Sequence, residues 1–198
     1  EWNNPGTIGS FSTGGKLLAA LFQSVTLRTA GFASFNQDAL TEASKLLSNI
    51  LMFVGGSSGS TAGGVKTVTM GLVVLSAVST MRGRRQVTVF RRSISQQDIS
   101  NAVSVALLVL GLSLFGAAVL TVCDRCSFLN AIYETTSALC TVGLTTGITS
   151  TLCAASKLIL IVFMFFGRVG IMTIGVGFMM GDRARERVQY AETKVMIG

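Results

Sequence analysis

Three long stretches of the chain are almost free of charge. Residues 101–123 carry no Asp, Glu, Lys or Arg, residues 158–181 carry only Arg168, and residues 46–81 carry only Lys66. A helix needs roughly 20 mostly apolar residues to cross a bilayer core. The first two stretches therefore predict one span each, near 99–122 and 157–180. The third, 36 residues long, exceeds one straight span and predicts a helix that is broken or runs past the bilayer. Two shorter apolar segments, 16–28 and 128–140, are too short to span and apolar enough to enter a membrane as re-entrant helices.

Composition agrees with an all-α integral membrane protein. The chain is 49% hydrophobic and 13% charged, with mean hydropathy +0.62, against about 25% charged in soluble domains. A net charge of +7 raises nucleic acid as a partner. The position of the basic residues excludes it, because they flank the spans. Arg82, Arg84, Arg85, Arg91 and Arg92 form one cluster; Arg183, Arg185, Arg187 and Lys194 form another, mixed with Asp182, Glu186 and Glu192. The positive-inside rule places both in the cytoplasm. The near-neutral segment 123–157 then lies outside. No basic–apolar–small leader opens the chain. Its start, Glu1-Trp2-Asn3-Asn4-Pro5, resembles the exit from an earlier span, and without an initiator Met a piece of a longer protein is expected.

The chain repeats itself. Shifted by 112 residues, Thr29 meets Thr141, Gly31 meets Gly143, Leu40 meets Leu152, and Ala43-Ser44-Lys45-Leu46 meets Ala155-Ser156-Lys157-Leu158. Met52-Phe53 meets Met164-Phe165, and Gly55, Thr61 and Gly63 meet Gly167, Thr173 and Gly175. Twelve of the 35 positions from 29 to 63 are identical without a gap, where chance predicts about two or three. Each copy predicts a re-entrant half-helix, a Thr-small-Gly-apolar loop and an apolar helix returning inward. The 99–122 span precedes the second copy.

This order implies a cation path. Non-helical backbone at membrane depth is tolerated only where protein or a water-filled cavity surrounds it. A half-helix aims the negative end of its dipole at the membrane centre, and glycine lets carbonyls turn toward an axis. A ring of carbonyls can replace the hydration shell of K⁺. Neither loop holds a carboxylate, so backbone oxygens would coordinate, joined by the Thr hydroxyl. One TxG tripeptide is a weak signal; two in matching contexts are strong. The competing use of Gly31 and Gly143 is helix packing or a tight turn.

Residues 55–64 contain five Gly and three Ser. Gly costs roughly 1 kcal/mol in a helix interior, so this run predicts the break in the over-long stretch. Lys66 follows it within the apolar region, at a cost of about 3 kcal/mol unless it meets a partner or cavity. A flexible loop with a cation beneath a cation filter reads as a gate. A phosphate loop is excluded, because Gly64-Val65-Lys66-Thr67 breaks the Gly-Lys-Thr adjacency and no strand precedes it. Close packing through Gly59-xxx-Gly63 and Gly177-xxx-Gly181 remains compatible with transport. Arg168 is expected to face the pore or the loop, or to form a structural pair. Glu134 is expected on the outer, solvated side, and Arg28 to orient the first half-helix or loop. Cys123, Cys126, Cys140 and Cys153 read as small buried or interfacial residues, with a disulfide open in an oxidising exterior. The CxxC lacks a redox fold, and with no His a zinc site is not expected. No nucleophile–base pair or paired carboxylates support an enzyme. A membrane structural or assembly protein is the alternative to a transporter.

The segments SVTLRTAGF (24–32), GGSSGSTAGGVKT (55–67) and TVGLTTGIT (141–149) resemble the TrkH/KtrB family of bacterial K⁺ transporters over nearly the whole chain. The ending KVMIG (194–198) favours the KtrB branch. The resemblance implies four span–pore-helix–filter-loop–span units around one pore, of which this chain holds most of the third and all of the fourth. It divides the chain into a partial third unit (1–81), a basic cytoplasmic linker (82–98), the fourth unit (99–181) and a cytoplasmic tail (182–198). Thr29, Ala30 and Gly31 match the third filter segment, and Thr141, Val142 and Gly143 the fourth, with K⁺ held at the filter only. Gly55, Gly56, Ser57, Ser58, Gly59, Ser60, Thr61, Ala62, Gly63, Gly64 and Lys66 match the intramembrane gating loop. Arg168 matches an arginine below the filter. Ser58 departs from the family pattern, which often has Pro there. The resemblance further implies a homodimer in the bacterial plasma membrane, a cytosolic nucleotide-binding ring as regulator, and no cofactor beyond transported K⁺, with Na⁺ activation left open.

Overall fold

The computed structural model describes residues 1–60, 62–83, 87–89 and 92–170. The expectations on Thr61, Arg84, Arg85, Arg91, the end of the last span from 171 and the tail 182–198 lie outside the described residues. Among those described, six α-helices carry the fold: α1 (Thr13–Thr26), α2 (Glu42–Phe53), α3 (Thr67–Met81), α4 (Gln96–Asp124), α5 (Phe128–Leu139) and α6 (Ala154–Val169). A short antiparallel pair, β1 (Thr88–Val89) and β2 (Arg92–Ser93), joins α3 to α4, with Thr88 opposite Ser93.

Helix α4 starts where Ser95 caps it. The Ser95 hydroxyl accepts the Asp98 N–H at 3.1 Å and donates to the Asp98 carboxylate at 2.6 Å. Both bonds satisfy groups that a helix start leaves open. The start falls three residues before the expected 99. At 1.5 Å per residue, 29 residues reach about 43 Å, more than a bilayer core. By length and composition, α4 is the one described helix that can cross a membrane.

The over-long third stretch divides as its length requires. Helix α2 stops at Phe53 and α3 begins at Thr67. The glycine-rich run between them is a loop tied at its base. Gly55 N–H donates to Val65 O at 2.9 Å, Val65 N–H to Phe53 O at 3.1 Å, and Thr67 N–H to Gly56 O at 3.1 Å. The freedom expected of this segment is therefore confined to its tip.

Helix α5 sits at the centre, packed against α2, α4 and α6. Its approach to α4 runs over a stripe of small residues, Ser113, Gly116 and Ala117, all buried. Small residues let helices approach closely where lipid supplies no hydrophobic drive. A side chain at Gly116 would collide with the Phe163 ring of α6. The Thr135 hydroxyl donates to Ser113 O across the same contact, at 3.1 Å. At the outer end, Asp124 accepts from the Cys153 N–H at 2.6 Å and from the Ser156 hydroxyl, joining the end of α4 to the start of α6.

Candidate functional site

The Thr-x-Gly segments follow the C-termini of the two shortest-loop helices, α1 and α5, and have matching backbones. Thr29 and Thr141 have φ of 67° and 55°; Gly31 and Gly143 have φ of 78° and 90°. A β-branched residue in the left-handed region is an outlier, and such strain, of order 1–3 kcal/mol, persists only where the surroundings impose it. Here hydroxyls within the preceding helices impose it. Thr26 Oγ1 donates to Phe32 O at 2.7 Å and accepts Phe32 N–H at 2.8 Å. Ser137 Oγ donates to Leu144 O at 2.6 Å and accepts Gly143 N–H at 3.2 Å. Each hydroxyl closes its loop into a tight hook.

The hooks touch. A Cβ on Gly31 would collide with the carbonyl oxygen of Val142, so only glycine fits there. Ala30 is exposed, Val142 is buried and Gly143 is exposed.

Beyond the glycines the loops turn back outward, each held by its own set of side chains. Glu134 is not solvated, as its expected outer position implied; it is only 4% exposed. Its Oε1 accepts from the Thr145 hydroxyl at 2.6 Å, the Thr146 N–H at 2.9 Å and the Thr146 hydroxyl at 3.2 Å; its Oε2 accepts from the Thr149 hydroxyl at 2.8 Å. The third loop returns through buried Gln37, which accepts from Gln23 Nε2 at 2.7 Å and from the Tyr133 hydroxyl at 3.1 Å. Sequence reasoning missed Gln23, Gln37, Tyr133 and the Thr partners of Glu134. One usable signal existed: Gln37 and Thr149 are 112 residues apart, so both lie at one position of the repeat.

The glycine-rich segment lies against the fourth loop. Gly63 N–H donates to Thr141 Oγ1 at 3.1 Å. Lys66 does not stand alone: its Nζ donates to Ser60 O at 2.8 Å and braces the loop across its tip. Ser57, Ser58, Gly59 and Ser60 are exposed at that tip, Gly55 and Gly63 are buried, and Gly56, Ala62 and Gly64 lie between. A cavity of about 700 Å³ under the segment is lined by Ser60, Gly63, Gly64, Lys66 and Arg168. A second, of about 480 Å³, runs along the fourth loop past Glu134, Ser137, Thr141 and Gly143, and also reaches Arg168. Arg28 is exposed and makes no side-chain hydrogen bond among the described residues, so nothing supports its expected orienting role. The four cysteines are free, and Cys140 is buried beside Gly64.

Short helices ending in strained glycine hooks, packed beside an apolar membrane-length helix, belong to membrane proteins that handle ions. The chain belongs to the TrkH family of cation transport proteins, whose family model matches residues 3–185. It is 38% identical over its full length to the Ktr system potassium uptake protein B of Bacillus subtilis, and 33% identical to that of Vibrio alginolyticus. It is 36% identical, over 92% of its length, to the potassium/sodium uptake protein NtpJ of Enterococcus hirae. The chain spans 44%, 43% and 42% of the length of these three relatives.

Proposed function

We propose that the chain is the part of a bacterial K⁺ uptake protein that supplies two of four pore units. In each, a half-helix and a filter loop are followed by a helix returning inward, and a gating segment lies under the fourth loop. The observation that carries this is the pair of loops with matching left-handed Thr and positive-φ Gly, 112 residues apart and in mutual contact. Thr29, Ala30, Gly31, Thr141, Val142 and Gly143 offer oxygens to K⁺ as it sheds water. The half-helix C-termini favour the cation. Residues 55–64, braced by Lys66, and Arg168 form the constriction below. The names of the relatives support K⁺ as the cargo. The name of NtpJ adds Na⁺, and one glycine per loop fits a filter that discriminates loosely. The same reading includes a homodimer in the plasma membrane, a basic linker and tail on the cytoplasmic side, a cytosolic nucleotide-binding ring as partner, and no cofactor.

The test is Gly143→Ser in the full-length protein, assayed as uptake into K⁺-starved cells lacking other uptake systems, with membrane expression matched. A side chain at φ of 90° is strained by about 1–2 kcal/mol. Relief of that strain moves the carbonyl. The K⁺ concentration for half-maximal uptake should rise about tenfold. Unchanged uptake at matched expression would turn the loops into packing turns and favour a structural or assembly role.

A further inference from the structure

We propose that the Thr141 side chain is a latch between the glycine-rich segment and the fourth loop, so that the position of the segment and the K⁺ affinity of the loop are thermodynamically linked. This rests on the function proposed above and adds a specific positioning contact to it. Thr141 is the first residue of the fourth loop, and its hydroxyl accepts the Gly63 N–H across 78 residues of sequence. The approach is too close for any side chain on the segment: a Cβ at Gly63 would stand 2.5 Å from Thr141 Oγ1 and 2.7 Å from Cys140 O. On its other side the Thr141 methyl lies against Gly167, where a Cβ would be 2.9 Å away, one residue before Arg168. The side chain is thus wedged between two glycines of different elements, where the two cavities meet.

The contact is not a general property of the repeat. Thr29, the matching residue of the third loop, makes no side-chain hydrogen bond among the described residues, although its backbone is the same. The fourth loop therefore carries a fastening that the third lacks. While the segment is docked, one lone pair of the Thr141 hydroxyl is committed to Gly63. Release of the segment frees that lone pair to face an ion. Two events that share one oxygen must bias each other equally in both directions.

The experiment uses the full-length protein in the uptake assay above, with maximal rate and half-saturating K⁺ both measured. Thr141→Val keeps the shape and removes the hydroxyl; Thr141→Ser keeps the hydroxyl. Gly63→Ala pushes the segment away and leaves Thr141 intact. Loss of one hydrogen bond should raise the maximal rate about three- to tenfold and shift half-saturating K⁺ in Thr141→Val. Thr141→Ser should behave as the parent protein. Gly63→Ala should reproduce both changes, and Thr141→Val with Gly63→Ala should go no further than either alone. The affinity shift in Gly63→Ala is decisive, because that substitution adds no atom to the filter. A shift in Thr141→Val alone, with Gly63→Ala unchanged in affinity, would make Thr141 a simple ion ligand and overturn the latch. So would additive effects in the double variant. If Gly143→Ser impairs uptake and these variants show no coupling, the latch fails and the proposed function stands. If Gly143→Ser is silent as well, both fail.

Discussion

The loop at 29–32 hangs from a helix that is mostly exposed, whereas the loop at 141–144 follows a helix buried along most of its length. Helix α1 buries only Ala19 and Thr26 and exposes Leu17, Leu18, Leu21, Phe22 and Val25. Helix α5 is buried continuously from Tyr133 to Leu139. The supports differ as much as the surroundings. The fourth loop is held from its own helix by Ser137 and Glu134, while the third is held by Thr26 and, through Gln37, by Tyr133 of α5. In the 112-residue register Thr26 faces Ala138, Ser137 faces Val25, and Glu134 faces Phe22. The two copies thus share a backbone shape and reach it with side chains from different positions. Part of the third loop's order is borrowed from the fourth unit's helix. Damage to α5 should therefore reach both loops, and damage to α1 only one.

The sharpest contrast should come from the two glycines. Both have positive φ, and an alanine at either is strained by about 1–2 kcal/mol. Only at Gly31 does the new Cβ also collide with a backbone atom, the Val142 carbonyl oxygen; at Gly143 its nearest neighbour is the Gly31 Cα, 3.9 Å away. Overpacking adds about 1–3 kcal/mol. Gly31→Ala should lower the melting temperature of the detergent-solubilised full-length protein clearly more than Gly143→Ala does, as followed by gel filtration after heating. Equal losses would mean that the contact between the hooks carries no weight.

Next in size is the carboxylate. Glu134→Gln replaces one accepting oxygen by a donor, and both oxygens face donors. Hydrogen bonds to a charged group contribute about 1.5–3 kcal/mol each, so a loss of about 2–3 kcal/mol is expected. Gln37→Leu removes only neutral bonds, about 1 kcal/mol. Thermal unfolding of the two variants should rank Glu134→Gln as the more damaged. The reverse order would show that the third loop depends on its link to Tyr133 more than the fourth depends on its clasp.

Much of the frame is written locally. A charge-free run of 23 residues marks α4. An excess of length and a cluster of glycines mark the break between α2 and α3, and shared identities mark the matching hooks. Signals of this kind depend on neighbours in sequence or on a fixed period. The contacts that support the hooks do not. Glu134 reaches residues 11 to 15 positions ahead by way of a turn, and its expected solvation was wrong because the loop folds back over it. Gly63 meets Thr141 across 78 residues, through two elements whose relative position no local pattern encodes. The link from Gln37 to Tyr133 crosses from one copy of the repeat to the other, so the repeat itself gives no hint of it.

The smallest expected effect lies at the outer edge of the third unit, where the segment returning from the loop is tied to the residues before α1. Asn4 Nδ2 donates to Ala39 O at 2.8 Å. The Glu1 carboxylate accepts from Thr41 N–H and hydroxyl, each at 2.8 Å, and from the Thr7 hydroxyl at 2.8 Å. Partial burial raises the Glu1 pKa, but the hydrogen bonds from Thr41, Thr7 and Ser44 outweigh it and hold the group at about 2, below its ordinary 4.5. A group whose folded pKa is depressed stabilises fully above its unfolded pKa and loses that contribution as pH falls through the folded one. The tie should therefore be intact above pH 4.5 and released between 4.5 and about 2. Hydrogen exchange at the Thr41 amide, corrected for the intrinsic pH dependence, should show protection falling across that window. Glu1→Gln should flatten the profile, and a fall that survives Glu1→Gln would assign it to another group. The fourth unit has no such tie to residues before its own half-helix: Glu134 holds its return segment from within α5. The same titration read at the Thr146 amide therefore separates a tie made outside the bundle from a clasp made inside it.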